Sequence, residues 1–81
     1  MKARVHIFFK ESVLDPQGST VASSLQRLGF SKVKEVRMGK VIDLILDHQL
    51  PEEARKDVAK MCEKLLVNPV IESYRVELLE K

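Results

Sequence analysis

The chain has 81 residues, of which 44% are hydrophobic and 32% charged, and its 14 basic and 12 acidic side chains give a net charge of +2. A chain of this length forms one small domain with a thin core, which leaves no room for a deep active site of its own. The weak net charge does not indicate nucleic acid, the apolar runs are too short to cross a bilayer, and the single cysteine excludes an internal disulfide. Because the N-terminus enters a strand pattern without a signal-peptide segment, we expect a cytoplasmic protein.

The first half of the chain predicts a strand, a helix and a second strand. Ala3 to Lys10 alternates apolar and polar residues, which is typical of a strand. Asp15 suits a helix N-cap and Pro16 the first helical position. The helix carries an apolar stripe and ends at a glycine that tolerates a left-handed cap; these residues are Val21, Leu25, Leu28 and Gly29. Val33 to Met38 then predicts the second strand.

The second half repeats the order strand, helix, strand. Gly39-Lys40 predicts a tight turn that joins the second strand to a third one, Val41 to Asp47, as a hairpin. A second helix starts near Pro51 and stops at Asn68-Pro69, because the residue before a proline avoids the helical region. The last strand is Val70 to Leu79, with four residues on one face: Val70, Tyr74, Val76 and Leu78.

The two halves resemble each other. When the chain is aligned with itself at a shift of 37 residues, five positions between 21 and 36 are identical to their counterparts. The single domain, 1–81, therefore consists of two halves of roughly 1–40 and 41–81. A doubled βαβ unit predicts an α+β, ferredoxin-like β-α-β-β-α-β fold: a two-layer sandwich of a four-stranded antiparallel sheet with two helices on one face. The repeat places six residues toward the helices: Val5, Ile7, Phe9, Ile42, Leu44 and Leu46. The repeat does not decide which residues of the second and fourth strands face the helices.

The other face of the sheet, called the open face below, has no predicted cover. Its charged and polar positions are interrupted by three apolar residues, Phe8, Val41 and Ile45. An apolar patch rimmed by charge marks a contact surface, although scattered exposed apolar residues are also normal. We therefore expect this face to be the dimer face of a homodimer or higher oligomer.

No constellation of catalytic or metal-binding residues stands out. His6 and His48 lack a Cys, Asp or Glu at metal-ligand spacing, and Cys62 lies near the core stripe of the second helix. The chain has neither a glycine-rich phosphate loop nor stacking aromatics on the third strand, so the basic cluster Lys32, Lys34, Arg37 and Lys40 is a weak signal for RNA. We expect no catalytic residue, no metal site and no bound cofactor, and hence no enzyme on its own.

The loop from Lys10 to Gly18 is the more informative segment. Asp15 and Pro16 are explained by the helix start, but Lys10, Gln17 and Gly18 are not explained by the expected fold. Gly18 costs helix stability, roughly 1 kcal/mol relative to alanine. Loops on rigid scaffolds often carry function, and a helix N-terminus offers free N–H groups to a ligand or a partner.

Three segments of the chain resemble the PurS family, the small subunit of phosphoribosylformylglycinamidine synthase. They are Lys10-Glu11-Ser12-Val13-Leu14-Asp15-Pro16-Gln17-Gly18, then Val36-Arg37-Met38-Gly39-Lys40, then Met61-Cys62-Glu63-Lys64-Leu65-Leu66-Val67-Asn68-Pro69-Val70-Ile71-Glu72. Their order and the chain length match the family over essentially the whole chain. Departures are mild: Val67, Met38 and Phe8-Phe9 differ from the commoner residues.

The resemblance implies a role in the fourth step of de novo purine synthesis, which converts formylglycinamide ribonucleotide, glutamine and ATP to formylglycinamidine ribonucleotide. It implies a non-catalytic subunit of a carbon–nitrogen ligase complex that assembles a large synthetase subunit and a glutaminase subunit and helps to transfer ammonia. ATP and Mg²⁺ are then used by the large subunit, and neither nucleic acid nor a membrane is a partner.

We expect seven residues to contact the partner subunits, because their identities match the family while the expected fold does not require all of them: Lys10, Asp15, Gln17, Gly18, Arg37, Gly39 and Lys40. An alternative function is a small-molecule-sensing module of the ACT type, which shares the same element order and also dimerises. An RNA-binding module is a more distant alternative.

Overall fold

The computed structural model describes residues 1–79. Three strands and two α-helices follow one another in the order β1, α1, β2, α2, β3, and a π-helical segment extends α2. Their bounds are β1 Lys2–Phe9, α1 Pro16–Arg27, β2 Gly39–Ile45, α2 Pro51–Met61, the π-helical segment Cys62–Leu66 and β3 Glu72–Leu79. The α+β class is therefore confirmed.

The strands form an antiparallel sheet in the order β2-β1-β3, with β1 in the centre. Val5 on β1 lies opposite Ile42 on β2 and Val76 on β3. Since side chains alternate across a strand, these residues share one face of the sheet. The prediction that Val5, Ile7, Ile42 and Leu44 face the same way is confirmed by this register.

The core lies between this face and α2. Ala3, Val5 and Ile7 on β1 are buried against Val58 and Cys62. The side chains of β2 on the same face are only half-buried, and they are Ile42 and Leu44, with Leu46 just beyond the strand. Helix α2 thus covers the β1 and β3 side of the face and leaves the β2 side partly open.

The local signals for α1 are confirmed. Asp15 is the N-cap with an extended backbone, Pro16 takes the first helical position, and the helix ends just before Gly29, whose φ of 105° requires the left-handed region that glycine tolerates. The predicted start of α2 at Pro51 is confirmed as well, and it has no side-chain cap.

The prediction of a fourth strand and a hairpin is wrong for the described residues. The segment 33–38 joins no sheet, and Gly39-Lys40 forms no turn, because β2 begins at Gly39 and pairs with β1 at once. Val33 lies beside Gln26, and Val36 lies beside Gly18. The two contact points on α1, Gln26 and Gly18, are eight residues and about 12 Å apart along the helix axis. The segment therefore returns along α1 instead of along β2.

The prediction that both helices cover one face is also wrong. Of the two α-helices in the described part, only α2 packs broadly against a strand. Residues 16–38, called the arm below, comprise α1, the turn after it and the returning segment. The molecule measures 50 × 27 × 14 Å with a radius of gyration of 16.1 Å, against about 12 Å for a compact chain of this length. The apolar stripe in the sequence predicts an amphipathic helix α1, but it does not indicate which surface that helix packs against.

A search of the described residues for a helix long and apolar enough to cross a membrane finds none.

Candidate contact site at the base of the arm

The seven residues expected to contact partners lie together at one end of β1. Here the loop after β1, the first turn of α1 and the start of β2 meet, and we call this place the junction. The loop supplies Lys10 and Asp15, the helix supplies Gln17 and Gly18, and the last three come from the chain entering β2: Arg37, Gly39 and Lys40. The sequence segments that were singled out separately are thus one structural site.

Asp15 is the centre of the junction and is only 2% exposed. Its Oδ1 accepts a hydrogen bond from the backbone N–H of Gly18 at 2.8 Å, and its Oδ2 accepts one from the backbone N–H of Met38 at 2.6 Å. These bonds to the carboxylate, from Gly18 first and Met38 second, hold the pKa of Asp15 below its ordinary value. One carboxylate thus caps α1 and fixes the returning segment to it.

Two glycines of the junction allow backbones to approach closely. A Cβ at Gly18 would lie 2.0 Å from the carbonyl oxygen of Val36, and a Cβ at Gly39 would lie 2.5 Å from that of Ile7. Both distances are too short for a side-chain carbon, so only glycine fits. The fold therefore does explain Gly18, which the expected ferredoxin-like arrangement did not.

Arg37 is bound to the loop after β1. Its Nη2 donates to the carbonyl oxygen of Lys10 at 2.9 Å, and its Nη1 donates to that of Val13 at 3.2 Å. The Lys10 carbonyl also accepts the backbone N–H of Val13, so the loop is closed on itself. The guanidinium therefore shapes the loop from the side of the returning segment.

Three side chains of the junction point into solvent on this rigid base. Lys10, Gln17 and Lys40 are exposed, and the Nζ of Lys40 is 3.9 Å from the nearest Glu72 oxygen, which is at the limit of an ion pair. Two open grooves flank them. The larger, about 780 Å³, runs along Lys10 and Arg37 beside two aromatic rings, Phe8 and Phe9. Charged, polar and apolar groups are thus presented together at the surface.

The apolar residues of the open face lie where the strand alternation predicts. Phe8, Val41 and Ile45 lie on the side of the sheet away from α2, and Val41 and Ile45 are 56% and 81% exposed. Between them Arg4 forms a bidentate ion pair with Asp43, whose Oδ1 is 2.8 Å from the Nε of Arg4. That contact holds the pKa of Asp43 low and raises that of Arg4. The apolar side chains are therefore separated by paired charges.

The histidines and the cysteine have structural partners. The Nε2 of His6 is 3.0 Å from a Glu77 oxygen, and the Nε2 of His48 is 2.7 Å from an Asp57 oxygen. Cys62 is buried in the core, and burial raises the pKa of its thiol, with the Glu63 charge adding to the shift. The described residues contain no group of three or more metal-ligating side chains. Nothing in this set resembles an activated nucleophile.

Sequence reasoning missed the main-chain part of the junction. The N–H of Met38 and the carbonyls of Val13 and Val36 hold the site together, and no residue type signals their use. Only the glycine at position 18, costly inside a helix, hinted that another backbone comes close.

Comparison with known proteins points to one family. Residues 2–80 match the model of the PurS family, described as phosphoribosylformylglycinamidine (FGAM) synthase. The chain is similar to the PurS subunit of that synthase from Methanocaldococcus jannaschii, with 44% identity over 95% of this chain and 93% of the relative.

Two solved structures are similar to the chain over the arm as well as the sheet. The B. subtilis PurS structure has a TM-score of 0.86 and 44% identity over 98% of both chains. A chain of the structure of PurLQS from Thermotoga maritima has a TM-score of 0.87 and 38% identity over 96% of this chain and 95% of that one. Because the arm is more than a quarter of the molecule, scores this high require that much of the arm superposes too.

Proposed function

This chain belongs to the PurS family, the small subunits of FGAM synthase in purine biosynthesis, and from that membership we propose that its own task is to assemble the complex and to help transfer ammonia. Its partners are a large synthetase subunit and a glutaminase subunit. The chain binds no cofactor itself, and the large subunit uses the ATP and Mg²⁺. Its location is the cytoplasm, which the buried, unpaired thiol of Cys62 supports.

The observation that carries this proposal is the junction. Its backbone is fixed by Asp15 and Arg37, while the side chains of Lys10, Gln17 and Lys40 project from it into solvent. Because the backbone that carries them is already ordered, only the side chains themselves lose conformational freedom on binding, and such a surface suits recognition of another protein. We assign the contact to these three side chains and the supporting role to Asp15, Gly18, Arg37 and Gly39.

Ammonia transfer gives such a subunit a chemical purpose. Ammonia released into water at neutral pH is mostly protonated, which removes its nucleophilic lone pair, and it diffuses away. Two active sites that share it have to be docked and sealed against water. A non-catalytic chain contributes by holding the two subunits together, and the paired histidines and the buried Cys62 agree with a supporting role.

Self-association through the open face is the second part of the proposal. Phe8, Val41 and Ile45 form its apolar positions, and Val41 and Ile45 remain mostly exposed in the single chain. A second copy that covered them would remove apolar area from water without breaking the Arg4–Asp43 pair.

Assembly of purified subunits tests the proposal. A chain with Gln17→Ala and Lys40→Ala should bind the large and glutaminase subunits about tenfold more weakly, since truncating an interface residue that carries binding energy costs more than about 1 kcal/mol. Replacing Arg37 is a poorer probe, because its loss also releases the loop carbonyls. The control is Lys56→Ala with Lys64→Ala, two exposed positions outside the junction. Equal affinities for the two double variants in sedimentation velocity would contradict the assignment.

A further inference from the structure

We propose that the smaller groove of the junction receives an uncharged side-chain amide, that of an asparagine or a glutamine, from a partner subunit. The groove lies between the first turn of α1 and the end of the sheet and has a volume of about 160 Å³. Its polar side chains are Gln17, Lys40 and Glu72. This inference rests on the proposed function, since it names the chemical group that the contact surface recognises.

Glu72 belongs to the segment 61–72, which resembles the family but supplies none of the seven expected contact residues. The Oε1 of Glu72 accepts a hydrogen bond from the backbone N–H of Asn68 at 2.8 Å, and the Asn68 carbonyl accepts the backbone N–H of Glu72 at 2.7 Å. Asn68 thus holds both the side chain and the backbone of Glu72, whose side chain is only 15% exposed. The turn before β3 therefore fixes this carboxylate at the groove.

Lys40 and Glu72 lie on either side of β1 and on the same face of the sheet. Lys40 on β2 is opposite Ile7, and Glu72 on β3 is opposite Phe9. Because Ile7 and Phe9 are two residues apart on one strand, all four side chains point to one face. The Nζ of Lys40 is 3.9 Å from the nearest Glu72 oxygen, which is too far for a hydrogen bond. Within residues 1–79 the ammonium group and the second carboxylate oxygen therefore stay available to a third group.

The two opposite charges disfavour an ion as the third group. A carboxylate of the partner would be attracted by Lys40 and repelled by Glu72 at a similar distance, and a cation would meet the reverse. A primary amide is uncharged and carries a carbonyl acceptor for Lys40 and NH₂ donors for Glu72 on one planar group. The amide of Gln17, which no hydrogen bond of the described residues occupies, adds a further donor and acceptor. An amide from the partner therefore finds a hydrogen-bond partner in each polar side chain of the groove.

The size and the walls of the groove suit the end of a side chain better than a free small molecule. Pockets for small molecules begin at about 300 Å³, roughly twice the volume of this groove. Its walls include three apolar side chains, Ile7, Phe9 and Met38. Such walls keep water away, which strengthens the hydrogen bonds made between them. The methylene stem of an asparagine or a glutamine would pack against the same walls.

Two variants that remove one charge each test this chemistry by the sign of their effects. Lys40→Met keeps the length of the side chain, and Glu72→Gln keeps an acceptor for the Asn68 N–H but turns an NH₂ group into the groove. With an amide in the groove, each variant should bind the large and glutaminase subunits roughly tenfold more weakly in sedimentation velocity, because each loses a hydrogen bond to a charged group. Lys56→Met and Glu53→Gln, two exposed positions outside the junction, are the matched controls and should bind as wild type does.

The opposite sign in either variant would overturn the proposal. Tighter binding of Glu72→Gln would assign a carboxylate to the groove, and tighter binding of Lys40→Met would assign a cation. Unchanged binding of both variants would remove the groove from the interface while the proposed function stands, whereas a wild type that binds neither subunit would refute the proposed function as well. Variants that alter only the self-association of the chain would also overturn the proposal.

Melting temperatures separate these effects from a loss of the fold. Lys40→Met breaks no hydrogen bond of the described residues, so it should melt as wild type does. If Glu72→Gln melts at a lower temperature, because its bond to Asn68 is weaker, the binding of Lys40→Met alone decides.

Discussion

Asp15 and Met38 are 23 positions apart in the chain and are joined by a hydrogen bond of 2.6 Å from the backbone N–H of Met38 to the carboxylate. The same carboxylate accepts the N–H of Gly18 in the first turn of α1. A helix cap is thereby also the clamp that holds the returning segment. This one side chain thus joins the first turn of α1 to the end of the arm.

Replacing Asp15 by Asn should lower the stability of the chain at neutral pH. The amide keeps one oxygen for Gly18 but turns an NH₂ group toward the N–H of Met38, where two donors face each other. We expect a lower denaturation midpoint and weaker protection of the Met38 amide from hydrogen exchange. An unchanged midpoint would show that the clamp contributes nothing.

The effect of Asp15→Asn should also depend on pH, with a defined sign. The fold lowers the pKa of Asp15 below its ordinary 3.8, so the carboxylate stabilises the native state above that value and loses this contribution as pH falls through the lowered pKa. The stability difference between wild type and variant should therefore be largest near neutral pH and shrink toward about pH 2. Urea titrations of both proteins across this range measure it, and a constant difference would contradict the assignment.

Gly18→Ala should be among the most damaging single-methyl substitutions in the chain. The added Cβ would lie 2.0 Å from the Val36 carbonyl oxygen, so the returning segment has to move away from α1. We expect a loss of about 3 kcal/mol of unfolding free energy, the upper part of the range for overpacking. Ser19→Ala, at the exposed next position of the helix, should change stability by under about 0.5 kcal/mol. Equal stability of the two variants would contradict the close approach.

Cys62 should react slowly with thiol reagents in the folded chain. Its side chain is buried against Val58, and burial raises the pKa of the thiol, so little thiolate forms and little of it is accessible. We expect labelling at neutral pH to be at least about a hundredfold slower than in denaturant, in proportion to the rarity of opening. Labelling at the denatured rate would show that the core around Cys62 is open.

The isolated chain should not respond to amino acids or nucleotides, which separates the assembly function from a ligand-sensing module. The groove at Lys10 and Arg37 is an open surface feature and not an enclosed pocket. A sensor saturated at a hundred times its Kd would gain about 2.7 kcal/mol and melt several degrees higher. We expect a Tm change below about 1 °C with glutamine, glycine or ATP, and a rise of several degrees would favour the sensing alternative.

The local structure could be predicted from the sequence, but the way in which the elements pack together could not. Asp15-Pro16 at the helix start, Gly29 after its end and the alternation from Val5 to Phe9 are local signals, and each is confirmed. Val33 to Met38 has the same strand-like pattern as β2, but a strand also needs a partner, and pattern alone does not name one. The hairpin was wrong because Gly39 serves a close approach to Ile7 and not a turn.

The candidate site was predictable as a set of residues but not as an architecture. The family resemblance singled out seven positions, and the structure brings them together at the end of β1. Which of them support the backbone and which project into solvent depends on main-chain atoms of Val13, Val36 and Met38, which leave no trace in residue type. Lys10, Gln17 and Lys40 remain the contact candidates, because in the described part no hydrogen bond occupies their side chains.

The proposed task is tested most directly by measuring ligation with and without this chain. The large and glutaminase subunits are supplied with formylglycinamide ribonucleotide and ATP, and nitrogen comes either from glutamine or from an ammonium salt. An assembly subunit should be required for the glutamine-dependent reaction and leave the ammonium-dependent rate nearly unchanged, since free ammonia needs no sheltered transfer. Equal glutamine-dependent rates with and without the chain would contradict the account.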